Sequence, residues 1–251
     1  NTNEHCLPPY ENAMAILGDV SPDSLRRYPD PESTVLRSAI ARSEGLSASQ
    51  VFVGNGSDEV LAHIFQGLLS SSELLITPDI TYSFYPVWAA LYGLRLQTEA
   101  LQTDFSIDVN RLSAQEGSIL LANPNAPTGR ALDLVDIKRL DDSNPDRLVV
   151  IDEAYYGFGA ESAASLIATA ENLMVTRSLS KSHALAGLRV GYALGSAALI
   201  EGLIRVKDSF NSYPLDAIAQ RVGAAAIEDT QWLRHSSQVV KDNRGKISES
   251  L

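Results

Sequence analysis

In "NLMVTRSLSKSHALAGLRVGYAL" (172–194), two cations stand in an otherwise largely apolar setting. Two apolar runs, "NLMVTRS" (172–178) and "LRVGYAL" (188–194), flank a turn of small and hydroxyl residues that carries Lys181, with Arg189 near its far end. Continuous aliphatic and β-branched runs of this length mark strands covered on both faces. Lys and Arg seldom lie in such surroundings unless they are paired or snorkel from the end of an element. The bland reading is two cations at strand ends. The residues that the rest of the chain sets beside them decide between the two readings.

Working outward, "VFV" (51–53) leads into "GNGSDEVLAHIFQGLL" (54–69), in which Val60, Ile64 and Leu68, with Leu61 and Phe65, recur at helical spacing. "ELLIT" (73–77) reads as a strand and "SFYPVWAALYG" (83–93) as a helix closed by Gly93, while "SILLANP" (118–124) and "RLVVIDEAY" (147–155) are further strands. Strands separated by helical patterns require crossover connections. The expected fold is therefore α/β, with a mostly parallel central sheet and helices on both faces. In such sheets ligands gather beyond the carboxyl ends of the strands. Polar residues fall there repeatedly: Asn123 and Asn125, then Asp152 and Tyr155, then Ser178 to Lys181.

From Lys207 the pattern changes. A Pro-containing turn in "SFNSYPLD" (209–216) is followed by helical patterns with no further strand. The expected division is an N-terminal arm (1–30), a large domain (31–206) and the start of an incomplete small domain (207–251). No internal repeat or low-complexity linker interrupts it.

The 251 residues are 45% hydrophobic and carry a formal net charge of −11, which argues against nucleic acid or an anionic membrane as partner. Cys6 is the single cysteine, so an internal disulfide and a Cys-pair zinc site are excluded. His5, His63, His183 and His235 lack metal-ligand spacing and read as surface or packing residues. There is no apolar run of membrane-spanning length and no signal-peptide pattern, so a cytoplasmic setting is expected. The opening "NTNEHCLPPY" has no methionine, which fits a processed or incomplete chain.

Small residues after a strand, as in "GNGSDE" (54–59), can turn backbone N–H groups toward a phosphate at a helix start. Ser57 or Asp58 could equally be a plain N-cap supported by Glu59. The dinucleotide fingerprint fails, because Glu59 stands where its third glycine belongs. Asp152 ends the apolar run "LVVI", where a carboxylate needs a cationic partner from the protein or a ligand. A lysine in an apolar pocket loses proton affinity and becomes a nucleophile toward carbonyl carbon. Pyridoxal-phosphate chemistry asks for that lysine, a carboxylate for the pyridine nitrogen, a hydroxyl for the ring oxygen and an anion cradle. Lys181, Asp152, Tyr155 and the set Ser57, Asp58, Ser178, Ser180 and Arg189 supply each part.

The motifs "GNGSDE", "PDITYSFYPVWAALYG", "NPNAPTG", "VVIDEAYYGF" and "SLSKSHALAGLRVGYALG", in this order, resemble those of the fold-type I pyridoxal-phosphate aminotransferases. "NTNE", "RYPDP" (27–31) and "SFNSYPLD" point within them to the histidinol-phosphate aminotransferases. The resemblance covers nearly the whole chain and implies that the C-terminal part of the small domain is lacking. It also implies a site built around pyridoxal 5'-phosphate. Lys181 would carry the cofactor and shuttle the substrate's proton, Asp152 would hold the pyridine nitrogen protonated, and Tyr155 would hydrogen-bond the ring oxygen. Tyr82 would stack on the ring, and Ser57, Asp58, Ser178, Ser180 and Arg189 would surround the phosphate. Tyr28 would reach in from a partner subunit, making a homodimer necessary. The implied reaction converts histidinol phosphate and 2-oxoglutarate to imidazole acetol phosphate and glutamate.

Two positions depart from the family's pattern. Ala126 stands where Asn is common before Pro-Thr-Gly, so a contact to the ring oxygen falls to Asn125 or is lost. Leu7 stands where a tyrosine often follows "NTNE". The rival readings are a decarboxylase or lyase of the same fold, such as threonine-phosphate decarboxylase, an effector-sensing domain, and a cofactor-binding fragment without turnover.

Overall fold

The structure, a computed structural model, describes residues 3–69 and 74–250. Its centre is a seven-stranded sheet formed by β1 (Val51–Asn55), β2 (Leu74–Pro78), β3 (Arg95–Glu99), β4 (Ser118–Ala122), β5 (Val149–Asp152), β6 (Leu173–Ser178) and β7 (Val190–Leu194), in the order β1-β7-β6-β5-β4-β2-β3. The pairings from β3 through β2, β4 and β5 to β6 are parallel, whereas β7 runs antiparallel to both β6 and β1. The reversal has a simple cause. The link from Leu179 to Arg189 is too short for the crossover of about a dozen residues or more that a parallel return requires.

Alternate residues of β5 divide between two apolar layers. Val149 and Ile151 join the cluster containing Leu36, Ile40, Val175 and Val222, while Val150 joins Phe52, Val60, Ile64 and Met174 on the other face. Both faces are therefore covered, as the continuous apolar runs imply. The helix Gly56–Gly67 buries Val60, Leu61, Ile64 and Phe65 against the second layer, on the stripe expected from their spacing. On the first layer, the helix Thr34–Glu44 packs against the helix Ala217–Glu228. The helix Ala197–Phe210 runs straight through position 207, where the sequence pattern changes.

The expected strands all form, and the strand expected at 73–77 is β2, with Glu73 outside the described residues. β3 has no counterpart in the sequence reading. "RLQTE" is polar and lies at the sheet edge, with only Glu99 fully buried. The helix Tyr85–Tyr92 does end at Gly93, whose φ of 69° is left-handed. Among the described residues no helix is long and apolar enough to cross a membrane.

Candidate active site

Asp152 is the last residue of β5 and Ser178 the last of β6, so neighbouring parallel strands deliver both to one sheet edge. Ser178 caps the short helix Leu179–Ser182, accepting from the Ser180 N–H at 3.0 Å. That turn presents Lys181. Arg189 precedes β7 with φ at 53°, a left-handed conformation that is strained for a residue with a side chain. On the far side, the first turn of the helix Gly56–Gly67 brings Ser57 and Asp58.

Two glycines make that approach possible. Gly56 has φ of 79° and a Cβ there would run into the Arg189 guanidinium, while a Cβ on Gly191 would overlap the backbone of Gly56 and Ser57. Helix start and strand therefore touch backbone to backbone, with Arg189 beside the first turn of the helix.

These elements enclose a cavity of about 490 Å³, lined by Ser57, Asp58, Tyr82, Asp152, Tyr155, Ser178, Ser180, Lys181 and Arg189, with Glu4, Pro124 and Ala126. A second cavity of about 570 Å³ shares Glu4, Tyr155 and Lys181 and extends to Arg244 and Ile247 on the helix Thr230–Ser250. The chemistry-bearing groups converge in the first cavity; the second is largely apolar.

Asp152 is 4% exposed. Its carboxylate accepts from the Tyr85 hydroxyl at 2.8 Å, the Ala154 N–H at 3.1 Å and the Thr176 hydroxyl at 3.2 Å. Burial raises its pKa to about 6 against these donors, and the Asp58 carboxylate adds to the rise. Burial likewise raises the Tyr82 phenol to about 12, helped by Asp58 and Asp152. Lys181 is shifted below the ordinary lysine value, first by burial and also by Arg189, against the opposing carboxylates of Glu4 and Asp58. Its Nζ donates to the Asn3 carbonyl at 2.6 Å, and the Asn3 amide donates to the Tyr155 hydroxyl at 2.7 Å.

At the end of the cavity beside Arg189, the Ser178 hydroxyl donates to Ser180 Oγ at 2.8 Å, and Arg189 Nη1 reaches the same Oγ at 3.4 Å. Arg189 Nη2 lies 3.6 Å from the Asp58 carboxylate, which also takes the Tyr82 hydroxyl at 3.5 Å.

The opposite face of the strand ends is clamped. Arg177, 1% exposed, donates from Nε to Glu153 at 2.8 Å and from Nη1 to Glu44 at 2.6 Å, with its guanidinium 3.6 Å from the centre of the Tyr156 ring. Glu153 and Arg177 are the next residues after Asp152 and Thr176, so this pair fixes the strands that present the site.

Asn125, expected as a contact to the ring oxygen, does not line the cavity. It is 3% exposed and its amide is spent inside the loop, donating to the Ile80 carbonyl and the Thr128 hydroxyl while accepting from Thr81. Pro124 and Ala126 line the cavity instead. Tyr28 is 83% exposed, stacks on Tyr213 with ring centres 4.9 Å apart, and lies outside this chain's own cavity. Sequence reading missed Tyr85 and Thr176, the partners of Asp152, because each reads as ordinary core. It also missed Asn3 and Glu4, which no spacing relates to Lys181.

Residues 1–251 match the family model of class I and II aminotransferases, and the chain belongs to that family. Its enzyme class and α/β fold are those the motifs implied. Among particular relatives, the chain is 51% identical to the histidinol-phosphate aminotransferase of Acetobacter pasteurianus, over all of this chain and 70% of that protein. It is 50% identical to histidinol-phosphate aminotransferase 1 of Pseudomonas aeruginosa, over all of this chain and 72% of that protein. A solved structure of histidinol-phosphate aminotransferase from Sinorhizobium meliloti, in complex with pyridoxal 5'-phosphate, matches with a TM-score of 0.87 at 26% identity, covering 98% of this chain and 68% of that one.

Proposed function

We propose that the chain is a pyridoxal-phosphate-dependent aminotransferase that converts histidinol phosphate and 2-oxoglutarate to imidazole acetol phosphate and glutamate. The observation that carries this reading is Asp152, a buried carboxylate raised to about 6 that has no protein cation paired with it among the described residues and faces the cavity of Lys181. Such a group favours a cationic ligand atom, and a protonated pyridine nitrogen is one. The hydroxyls and the guanidinium at the other end of the cavity suit a phosphate.

When bound, pyridoxal phosphate supplies an aldehyde that links to amines and a ring that draws electrons from the bond being broken. This chain's residues do the rest. Asp152 would keep a proton on the ring nitrogen, Tyr155 would direct its hydroxyl at the ring oxygen, and Tyr82 would cover the ring face. Backbone N–H groups at Ser57 and Asp58, the hydroxyls of Ser178 and Ser180, and Arg189 hold the phosphate. The Asp58 carboxylate contributes no anion binding of its own; it orients Arg189 and Tyr82. Burial lowers the proton affinity of Lys181, whose Nζ could take the proton from the substrate's α-carbon and deliver it to the cofactor carbon that had borne the aldehyde oxygen.

The substrate rests on the relatives' names at 50–51% identity. The homodimer, with Tyr28 reaching a partner's cavity, and the cytoplasmic setting belong to the same proposal. The test is to supply histidinol phosphate and 2-oxoglutarate to the cofactor-loaded protein and assay both glutamate and carbon dioxide. Glutamate without carbon dioxide is expected. Carbon dioxide release would turn the reading toward the decarboxylase, and no glutamate from a folded, loaded protein would refute it.

A further inference from the structure

The side chain that could have touched the cofactor ring from the 123–129 loop is withdrawn, since Asn125 is spent on Ile80, Thr81 and Thr128 and position 126 is an alanine. A different amide does reach the reacting groups. Asn3, from the N-terminal segment, donates its Nδ2–H to the Tyr155 hydroxyl at 2.7 Å while its backbone carbonyl accepts from Lys181 Nζ at 2.6 Å. Its neighbour Glu4 lines the same cavity.

The direction of the first bond matters. A phenol has one proton to give and lone pairs that accept. Because the Asn3 amide can only donate through Nδ2, the Tyr155 oxygen is the acceptor and its own proton is left for something else. We propose that Asn3 is a positioning residue that ties Tyr155 and Lys181 together, reserving the Tyr155 proton for the ring oxygen of the cofactor and holding the Lys181 amine in the cavity. The proposal rests on the functional reading above as regards the cofactor, but the tie itself is a property of the protein alone.

Two substitutions separate this role from simple packing. Asn3→Ala removes the donor and unties the N-terminal segment. Asn3→Asp keeps size and tie but reverses the bond, because a carboxylate only accepts and so consumes the Tyr155 proton. The first measurement uses the apoprotein: the rate at which trinitrobenzenesulfonate labels Lys181 at one pH, read by peptide mass. Asn3→Ala and Tyr155→Phe should each raise the rate about 2- to 10-fold, the worth of one hydrogen bond, and the double variant should add nothing further. Asn3→Asp keeps the tie and adds a carboxylate that, like Glu4, raises the proton affinity of Lys181, so it should label no faster than the wild type. The second measurement is affinity for pyridoxine 5'-phosphate, which has the ring oxygen but no aldehyde. Here Asn3→Asp should lose the most, Asn3→Ala less.

A packing role would instead make the isosteric Asn3→Asp the milder change in affinity for pyridoxine 5'-phosphate, once the loss that the new charge causes for inorganic phosphate, which has no ring oxygen, is subtracted. Additive effects of Asn3→Ala and Tyr155→Phe on labelling, or no effect of Asn3→Ala on either readout, would overturn the proposal. If the wild type binds neither pyridoxal phosphate nor pyridoxine phosphate, the cofactor reading fails while the labelling experiment still decides whether Asn3 ties the two residues.

Discussion

Replacing Asp152 by Asn should stabilise the apoprotein at neutral pH while weakening its hold on the cofactor. The carboxylate has an ordinary value of 3.8 and is raised to about 6 in the folded chain, chiefly by burial. A raised acid favours folding fully below 3.8 and loses that contribution as pH climbs through about 6. The displacement corresponds to about 3 kcal/mol. For a chain of this length that is about 6–12 °C in Tm. Asn keeps an oxygen to accept from Tyr85 and Ala154 but carries no charge, so the variant should escape most of the loss. The assay is thermal unfolding of apoprotein by circular dichroism from pH 4 to pH 8. The wild type should fall relative to Asp152→Asn across pH 4–6 and lie below it at pH 8. Parallel profiles for the two proteins, or a variant that is less stable at pH 8, would mean that burial does not raise the Asp152 carboxyl. Cofactor binding should reverse the ranking, because in the proposed function a protonated ring nitrogen would pair with the ionised carboxylate.

Other sites give further tests. Arg177→Met leaves Glu153 and Glu44 without their cation, and losing one partner of a buried pair costs about 3–5 kcal/mol; guanidinium titration of the apoprotein should show a lower midpoint. His183 is depressed from 6.5 to about 4, mainly by burial and then by Arg177. Its neutral form is required in the fold, so acidification from pH 6.5 to pH 4 should cost about 3 kcal/mol. His183→Asn should remove that loss, as measured by stability at the two pH values. Gly191→Ala sets a Cβ against the backbone of Gly56 and Ser57; an overpacking cost of about 1–3 kcal/mol is expected. It should also weaken inorganic phosphate's protection of the apoprotein against heat, because the helix start is pushed from Arg189.

Much of this was legible because the information is local. The buried strands declare themselves as unbroken apolar runs, and the polar residues at their ends fall at one sheet edge once the pairing is parallel. β3 escaped because an edge strand needs little apolar surface, and "RLQTE" has little. The partners of Asp152 escaped for a different reason. Tyr85 lies 67 positions away and looks like any aromatic on a core helix; only the tertiary fold aims its hydroxyl at the carboxylate. Asn125 was legible as a loop residue, but its amide direction depends on Thr81 and Ile80, which no motif links to it. The bond from Asn3 to Tyr155 spans 152 positions and is beyond any local pattern.

In the proposed function Lys181 carries the cofactor, and borohydride trapping tests that role. Pyridoxal phosphate is added to the wild type and to Lys181→Ala, the visible absorption is recorded, and the borohydride-reduced proteins are digested and mapped by mass. The wild type should show a visible band that borohydride abolishes, with the stable adduct on Lys181, and Lys181→Ala should give no adduct of that kind. A folded wild-type protein that shows no band at saturating cofactor, or an adduct on another lysine such as Lys207 or Lys241, would contradict it.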